Sequence, residues 1–218
     1  MPLLSDPSVQ LYLASLPSAL LTTLQMTIGG TVIATIGGLL LALGSRARSR
    51  AVVRLSRGIT YVVRAIPQPP VLLLAYFGLE ALLGGTQPEE AAMITLGVLL
   101  APWMGELFRS GIQAVPIGQI EAGRALGLSE TAVQRRIVLP LAVRIMFPAF
   151  GQLVVGLMLS TSIASQLGTK DVTGLARPII NGFFATDLWL VVAAVYFLAA
   201  FPLSRLLNWI ERRTAIVQ

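Results

Sequence analysis

The chain has 218 residues, of which 55% are hydrophobic and 12% are charged, and its formal net charge is +6. It contains neither cysteine nor histidine, which excludes disulfides, thiolate chemistry and the commonest zinc ligands, and because no carboxylates cluster we expect no catalytic residue and no metal site. The arginines are not gathered into a basic domain with interleaved aromatic residues, so we expect no nucleic-acid partner.

Long apolar segments dominate the sequence and predict a membrane protein. A helix needs about 20 mostly apolar residues to cross roughly 30 Å of hydrocarbon, so the chain has room for about five spans and little else. We therefore predict an all-α integral membrane protein in which residues 1–218 form one transmembrane domain. The predicted spans are residues 18–44, 58–82, 91–112, 138–166 and 187–208.

The basic residues are distributed unequally between the two ends of these spans. Thirteen arginines fall in the first and third connections and in the tail, whereas the opposite connections contain only Lys170 and Arg177. Because basic residues accumulate on the cytoplasmic side, we expect the amino terminus outside and the carboxyl terminus in the cytoplasm. The thirteen are Arg46, Arg48, Arg50, Arg54, Arg57, Arg109, Arg124, Arg135, Arg136, Arg144, Arg205, Arg212 and Arg213.

The first predicted span carries a face of small residues that includes Gly29, Gly30, Gly37 and Gly38. Small residues let helix backbones approach closely. This face serves either packing within the subunit, which we favour, or contact with a second subunit.

The second predicted span is interrupted by Pro67, Pro69 and Pro70. Each proline removes a backbone donor and restricts the residue before it, so a regular helix cannot continue through this segment. The carbonyl groups that lose their partners must be buried in protein or face a water-filled cavity.

The third predicted span contains two charged residues, Glu106 and Arg109, three positions apart on one helix face. Ionisable side chains inside a membrane are energetically expensive and are often functional. We favour a mutual ion pair over contact with a transported solute.

The connection after the third span has the pattern of two short helices that meet at a glycine. Residues 121–126 are mostly good helix formers, Gly127 permits the positive φ of a helix terminus, and Ser129 is a suitable N-cap for the next helix. Glu121 and Arg124 stand three positions apart, where they can pair with each other or contact a partner.

This connection resembles the EAA loop of ABC importer permeases, with the loop at about residues 116–140. The resemblance rests on Glu121-Ala122, Gly127, Ile137 and Leu139-Pro140, and on their spacing. It implies a type I ABC importer permease fold in the bacterial inner membrane. It also implies that the ATPase docks on Glu121, Ala122, Gly123, Leu126, Gly127 and Leu128.

The same resemblance implies the partners. They are a cytoplasmic dimer of ABC ATPases, a second permease subunit that is identical or paralogous, an external solute-binding protein and membrane lipid. The sequence has no GxxxxGK[ST] motif, and its one lysine, Lys170, is followed by Asp171. Since a P-loop is excluded, we expect a subunit that is not an enzyme and binds no cofactor, with ATP and Mg on the partner ATPase.

Within this family the chain is most similar to permeases for polar amino acids, through diffuse stretches such as residues 105–112 and Thr161-Ser162. The implied solute is an amino acid or a related zwitterion. Leu159 stands where that subgroup commonly has a lysine, and Ser160 replaces Asp or Asn.

Several polar side chains in the spans are candidates for the wall of a solute pathway. The alternative for the hydroxyl groups is a hydrogen bond to the preceding helical turn. The candidates are Gln68, Ser160, Thr161, Ser162 and Tyr196.

The sequence also allows two other functional classes. A channel or an ion-coupled carrier can also use broken helices and charges within the membrane. A regulatory membrane subunit could dock an ATPase without transporting a solute. The complete spacing of the EAA loop favours the importer.

Overall fold

The computed structural model describes residues 7–183 and 186–214, and within these ranges the chain is helical and contains no strand. A π-helical turn at Gln134–Val138 precedes α7, and a 3-10 turn at Ser165–Leu167 follows it. The helices are α1 (Pro7–Gly44), α2 (Arg50–Ala65), α3 (Gln68–Leu83), α4 (Pro88–Gln113), α5 (Ile117–Ala125), α6 (Glu130–Val133), α7 (Leu139–Ala164), α8 (Val172–Phe183) and α9 (Leu188–Thr214).

Four helical segments of the described residues are each long and apolar enough to cross a membrane, and α2 with α3 provides a fifth if the bent pair counts as one span. The all-α membrane fold is therefore confirmed. The first span is longer than expected, since it begins at Val9. The four single segments are Val9–Gly44, Pro88–Gln113, Glu130–Leu167 and Leu188–Ile210.

The second predicted span, residues 58–82, is not one helix. It is two helices that bend by 110° between Ala65 and Gln68, where Ile66 and Pro67 have extended backbones. The proline at position 67 cannot donate to the preceding turn, so the helix ends before it and a new helix begins after it. The interruption by proline is as predicted, and the structure adds the size of the bend between the two helices.

Contacts between α1 and α4 form the centre of the bundle. A Cβ at Gly38 would lie 2.7 Å from the backbone nitrogen of Gly105, and one at Gly97 would lie 2.8 Å from the carbonyl oxygen of Gly30. These distances are too short for any side chain, so glycine is what allows the two backbones to touch. The small-residue face of the first span thus serves packing within the subunit at Gly30 and Gly38.

The second half of the chain packs against the beginning of α1. Tyr12 is 2% exposed, and its hydroxyl donates a hydrogen bond of 3.1 Å to the carbonyl oxygen of Val172. Together with Leu188 and Val192 of α9, these residues belong to one buried cluster. Helix α8 is thereby held between the first and last spans.

Candidate functional site

The connection between α4 and α7 folds into a compact helical corner. Helix α5 ends in a Schellman motif, in which the N–H of Leu128 donates to the carbonyl of Gly123 at 3.2 Å and the N–H of Gly127 donates to the carbonyl of Arg124 at 2.9 Å. Gly127 has φ +77°, as predicted. Ser129 caps α6 by accepting a hydrogen bond of 3.3 Å from the N–H of Ala132.

The six predicted docking residues differ in exposure. Glu121, Ala122, Leu126 and Gly127 are exposed, with 82% of the Leu126 surface accessible, and Leu128 is half-buried. Gly123 is buried, and a Cβ there would overlap the Cδ1 of Ile137. Glycine at position 123 therefore allows α5 to lie directly against the π-helical turn.

Arg124 forms an ion pair with Glu130 across the corner, and not with Glu121, which was one of the two possibilities that their spacing allowed. Its Nε and Nη2 donate to the two carboxylate oxygens of Glu130 at 2.7 and 3.0 Å. The hydrogen bonds to this carboxylate raise the pKa of the Arg124 guanidinium above its ordinary value. The turn at Gly127 brings the two side chains together, and Glu121 remains exposed.

A cavity of about 250 Å³ lies among α3, α4 and α7. It brings together two of the predicted pathway residues, Gln68 at the start of α3 and Ser160 on α7, with Gln152 and Trp103 beside them. The remaining lining residues are leucines and a glycine, so no charged side chain lines this cavity. The break in the second span is what places Gln68 there.

Thr161 and Tyr196 lie outside the 250 Å³ cavity, next to the connection between α7 and α8. The Thr161 hydroxyl is buried, donates to the carbonyl of Met158 at 2.7 Å and lies 3.5 Å from the Tyr196 hydroxyl. Ser162 bonds in the same manner to the carbonyl of Leu159 at 2.7 Å. The hydrogen bond to the preceding turn therefore occurs at both positions, and neither residue lines the 250 Å³ cavity.

Asp171 organises this second polar cluster, and sequence reasoning missed it. Its carboxylate is fully buried and accepts four hydrogen bonds: from the Thr169 hydroxyl at 2.7 Å, the Tyr196 hydroxyl at 3.0 Å, and the backbone N–H groups of Gly174 at 3.1 Å and Thr173 at 3.2 Å. Burial raises the pKa of the Asp171 carboxyl, and these hydrogen bonds oppose the rise. One feature of the sequence could have revealed it. Asp171 stands directly before Val172, the first residue of α8, and Asp is a preferred residue at this N-cap position.

Glu106 and Arg109 form an ion pair on α4, in which the Arg109 Nε donates to the Glu106 Oε2 at 3.2 Å and its Nη2 contacts the other carboxylate oxygen. Each side chain keeps about two-fifths of its surface accessible, 43% and 41% respectively. Nearby, the Arg64 guanidinium stacks on the ring of Trp103 at 3.8 Å.

Comparison with known proteins relates the whole bundle to transport systems. A family model described as "Binding-protein-dependent transport system inner membrane component" matches residues 34–216. The chain is 33% identical over 217 residues to the nopaline transport system permease protein NocM of Agrobacterium fabrum, with 93% of this chain and 90% of that protein covered. It is 30% identical to the histidine/lysine/arginine/ornithine transport system permease protein HisQ of Escherichia coli, with 90% and 91% covered.

A solved structure has the same fold. The crystal structure of an amino acid ABC transporter with histidines contains a chain that matches with a TM-score of 0.85 and 29% identity. The match covers 94% of this chain and 97% of that one.

Proposed function

This chain belongs to the family of binding-protein-dependent transport system inner membrane components, and we propose that it forms the pathway by which an ABC importer moves an amino acid or a related zwitterion into the cytoplasm. The subunit is a multi-pass inner-membrane component and not an enzyme. Its energy comes from a separate ATPase, to which we assign ATP and Mg. The observation that carries the proposal is the helical corner at Gly127, which presents exposed side chains beside a transmembrane bundle of this family.

The exposed surface of the corner is the proposed contact for the ATPase. It offers a partner the negative charge of Glu121, the small side chain of Ala122 and the exposed apolar side chain of Leu126. Gly123, Gly127 and Leu128 fix the angle between α5 and α6 through the backbone hydrogen bonds that end α5. Closure of two ATPases would pull on this corner and thereby on α4 and α7, to which it is joined on either side.

The 250 Å³ cavity is the proposed solute contact. Its amide and hydroxyl groups, from Gln68, Gln152 and Ser160, can hydrogen-bond to the ammonium and carboxylate groups of a zwitterion without introducing a net charge. The named relatives transport nopaline or basic amino acids, which are solutes of this class. Thr161, Ser162 and Tyr196 form the adjoining polar region, which we propose supports the pathway.

A complete importer requires further subunits. The family description makes transport dependent on a binding protein, and we expect that protein outside the cell and an ATPase in the cytoplasm. We propose in addition a second permease subunit, identical or paralogous, and an orientation with the corner at Gly127 in the cytoplasm. Residues 1–218 would then act as a single transmembrane domain.

Reconstitution tests this function directly. The purified subunit, with the second permease subunit, the ATPase and the binding protein of the same system, is placed in proteoliposomes, and uptake of radiolabelled nopaline, arginine and histidine is measured with and without ATP. We expect uptake of at least one solute that needs both ATP and the binding protein. Uptake driven by an ion gradient without ATP would instead identify a secondary carrier.

A second measurement tests the cavity itself. Gln68→Leu and Ser160→Leu should each reduce uptake while basal ATP hydrolysis stays unchanged, because each removes a hydrogen-bonding group from the cavity wall. Leu159→Ala, which changes the adjacent residue outside the cavity, is the matched control. Unchanged uptake in both cavity variants would contradict the assignment.

A further inference from the structure

A second, larger cavity of about 470 Å³ lies between the end of α1, helix α2 and the second half of α4. It shares no lining residue with the 250 Å³ cavity. Its volume falls in the range of about 300–1,000 Å³ that small-ligand sites occupy. The charged residues that line it are Arg46, Arg57, Arg64, Arg109 and Glu106.

The charge of this cavity is strongly positive. Its one acid, Glu106, is already paired with Arg109. The guanidinium groups of Arg46, Arg57 and Arg64 form no ion pair among the described residues, although Arg64 is stacked on Trp103. Glu106 also interacts electrostatically with Arg64, but with four arginines and one glutamate the lining keeps a formal charge of +3.

Arginine in this setting favours a phosphate ligand. The planar guanidinium donates two parallel hydrogen bonds to a phosphate or a carboxylate. The nearby hydroxyls of Ser45 and Thr60 already donate to backbone carbonyls, at 2.8 and 2.9 Å. The arginines are the charged donors of this lining, and they suit an oxyanion.

Helix α2 indicates where that oxyanion comes from. One side of this helix carries arginines at successive intervals of four, three and seven residues. They are Arg50, Arg54, Arg57 and Arg64. The opposite side is apolar and open, with exposed fractions of 41–65% at Val52, Leu55, Ile59 and Val62. A helix with an arginine face and an apolar face lies in the plane of the membrane interface, at the level of the lipid headgroups.

We propose that the cavity between α1, α2 and α4 binds the headgroup phosphate of an anionic phospholipid. The apolar side of α2 enters the acyl region, while the cavity, to which α2 contributes Arg57 and Arg64, receives the phosphate. Basic pockets between transmembrane helices commonly recognise acidic lipid headgroups. Because Gln113, the last residue of α4, also lines the cavity, the bound lipid holds α2 against the helix that leads into the corner at Gly127.

The test measures lipid binding to the complete transporter purified in a neutral detergent. Dioctanoyl phosphatidylglycerol is titrated against wild type and two double variants, with binding followed by isothermal titration calorimetry. Arg46→Gln/Arg57→Gln removes two charges from the cavity. Arg48→Gln/Arg54→Gln removes the same charge from the neighbouring surface, outside the cavity.

We expect saturable binding of phosphatidylglycerol that is weakened about tenfold or more by the cavity variant and about twofold or less by the surface variant. Dioctanoyl phosphatidylcholine and millimolar inorganic phosphate should not displace it. Equal weakening by the two double variants would show only diffuse attraction and overturn the proposal. Displacement by inorganic phosphate would identify a site for a soluble anion instead of a lipid, and absence of saturable binding would remove the site altogether.

Discussion

Gly127 occupies a backbone conformation that L-amino acids with a side chain resist. Its φ of +77° allows the chain to reverse between α5 and α6 and lets two N–H groups reach the last carbonyls of α5. For other residues this left-handed region costs roughly 1–2 kcal/mol, and more for a β-branched side chain. The space around a Cβ at this position is open, so the constraint comes from the backbone alone.

Gly127→Val should therefore damage the corner without disturbing the spans. We expect normal amounts in the membrane and a fall of about tenfold or more in ATP-dependent uptake, the factor that corresponds to about 1.4 kcal/mol. Gly118→Val is the control, because Gly118 is also on α5 with open space around it but lacks a positive φ. Full uptake by the Gly127 variant would show that the corner does not couple to the ATPase.

Gly123 is constrained by packing instead of backbone geometry. A Cβ there would overlap the Cδ1 of Ile137, and overpacking of this kind costs typically about 1–3 kcal/mol. Ile137→Val removes that methyl group at a cost of about 0.5–1.5 kcal/mol. We expect the Gly123→Ala/Ile137→Val double variant to lose less thermal stability in detergent than the sum of the two single losses. Strict additivity would mean that the two side chains do not meet.

At the scale of helices, the connection between α7 and α8 is held by contacts far apart in the sequence. Asp171 caps α8 and also accepts a hydrogen bond from Tyr196 of α9. On the opposite side, the backbone of Val172 bonds to Tyr12 and Thr23 of α1. One short segment thus joins the first, fourth and last spans.

Asp171→Ala should loosen this junction. The change removes the N-cap of α8, worth about 0.5–2 kcal/mol, and leaves buried donors without an acceptor, at about 1–3 kcal/mol. For a chain of this length each kcal/mol lowers the melting temperature by about 2–4 °C, which a thermal melt in detergent resolves. Asp187→Ala, at an exposed turn before α9, is the control, and an equal melting temperature for both variants would contradict the role of Asp171.

Local patterns account for what the sequence predicted well. The spans follow from apolar length, and the corner at Gly127 follows from helix formers, a glycine and the Ser129 cap within a few residues. The pairing of Arg124 with Glu130 was not predictable from helix spacing, because the reversal at Gly127 brings residues of two different helices together. The Asp171 cluster was missed because its partner Tyr196 is 25 residues away. The 110° bend of the second span depends on how α2 and α3 pack, and the prolines fix only the place of the break.

At the scale of the whole molecule, the surface requires a membrane. Along α1, large apolar side chains that are 52–64% exposed recur at intervals of four or seven residues, at Leu21, Ile28, Val32, Ile36 and Leu43. Water disfavours a continuous apolar face of this kind, so lipid tails or a second membrane subunit cover it. The charged residues instead lie mainly near the ends of the helices. Their distribution between the two ends determines which side of the bundle faces the cytoplasm.

The orientation can be tested because the protein contains no cysteine. Single cysteines are introduced at Glu90, an exposed position at the start of α4, and at Gln119, an exposed position on α5. With basic residues retained on the cytoplasmic side, a membrane-impermeant thiol reagent applied to intact cells should label the cysteine at position 90 and spare the one at 119. Permeabilising the cells should make both react, which controls for accessibility of the side chains. Labelling of position 119 in intact cells would place the corner at Gly127 outside, where no ATPase could dock on it, and would refute the coupling mechanism together with the topology.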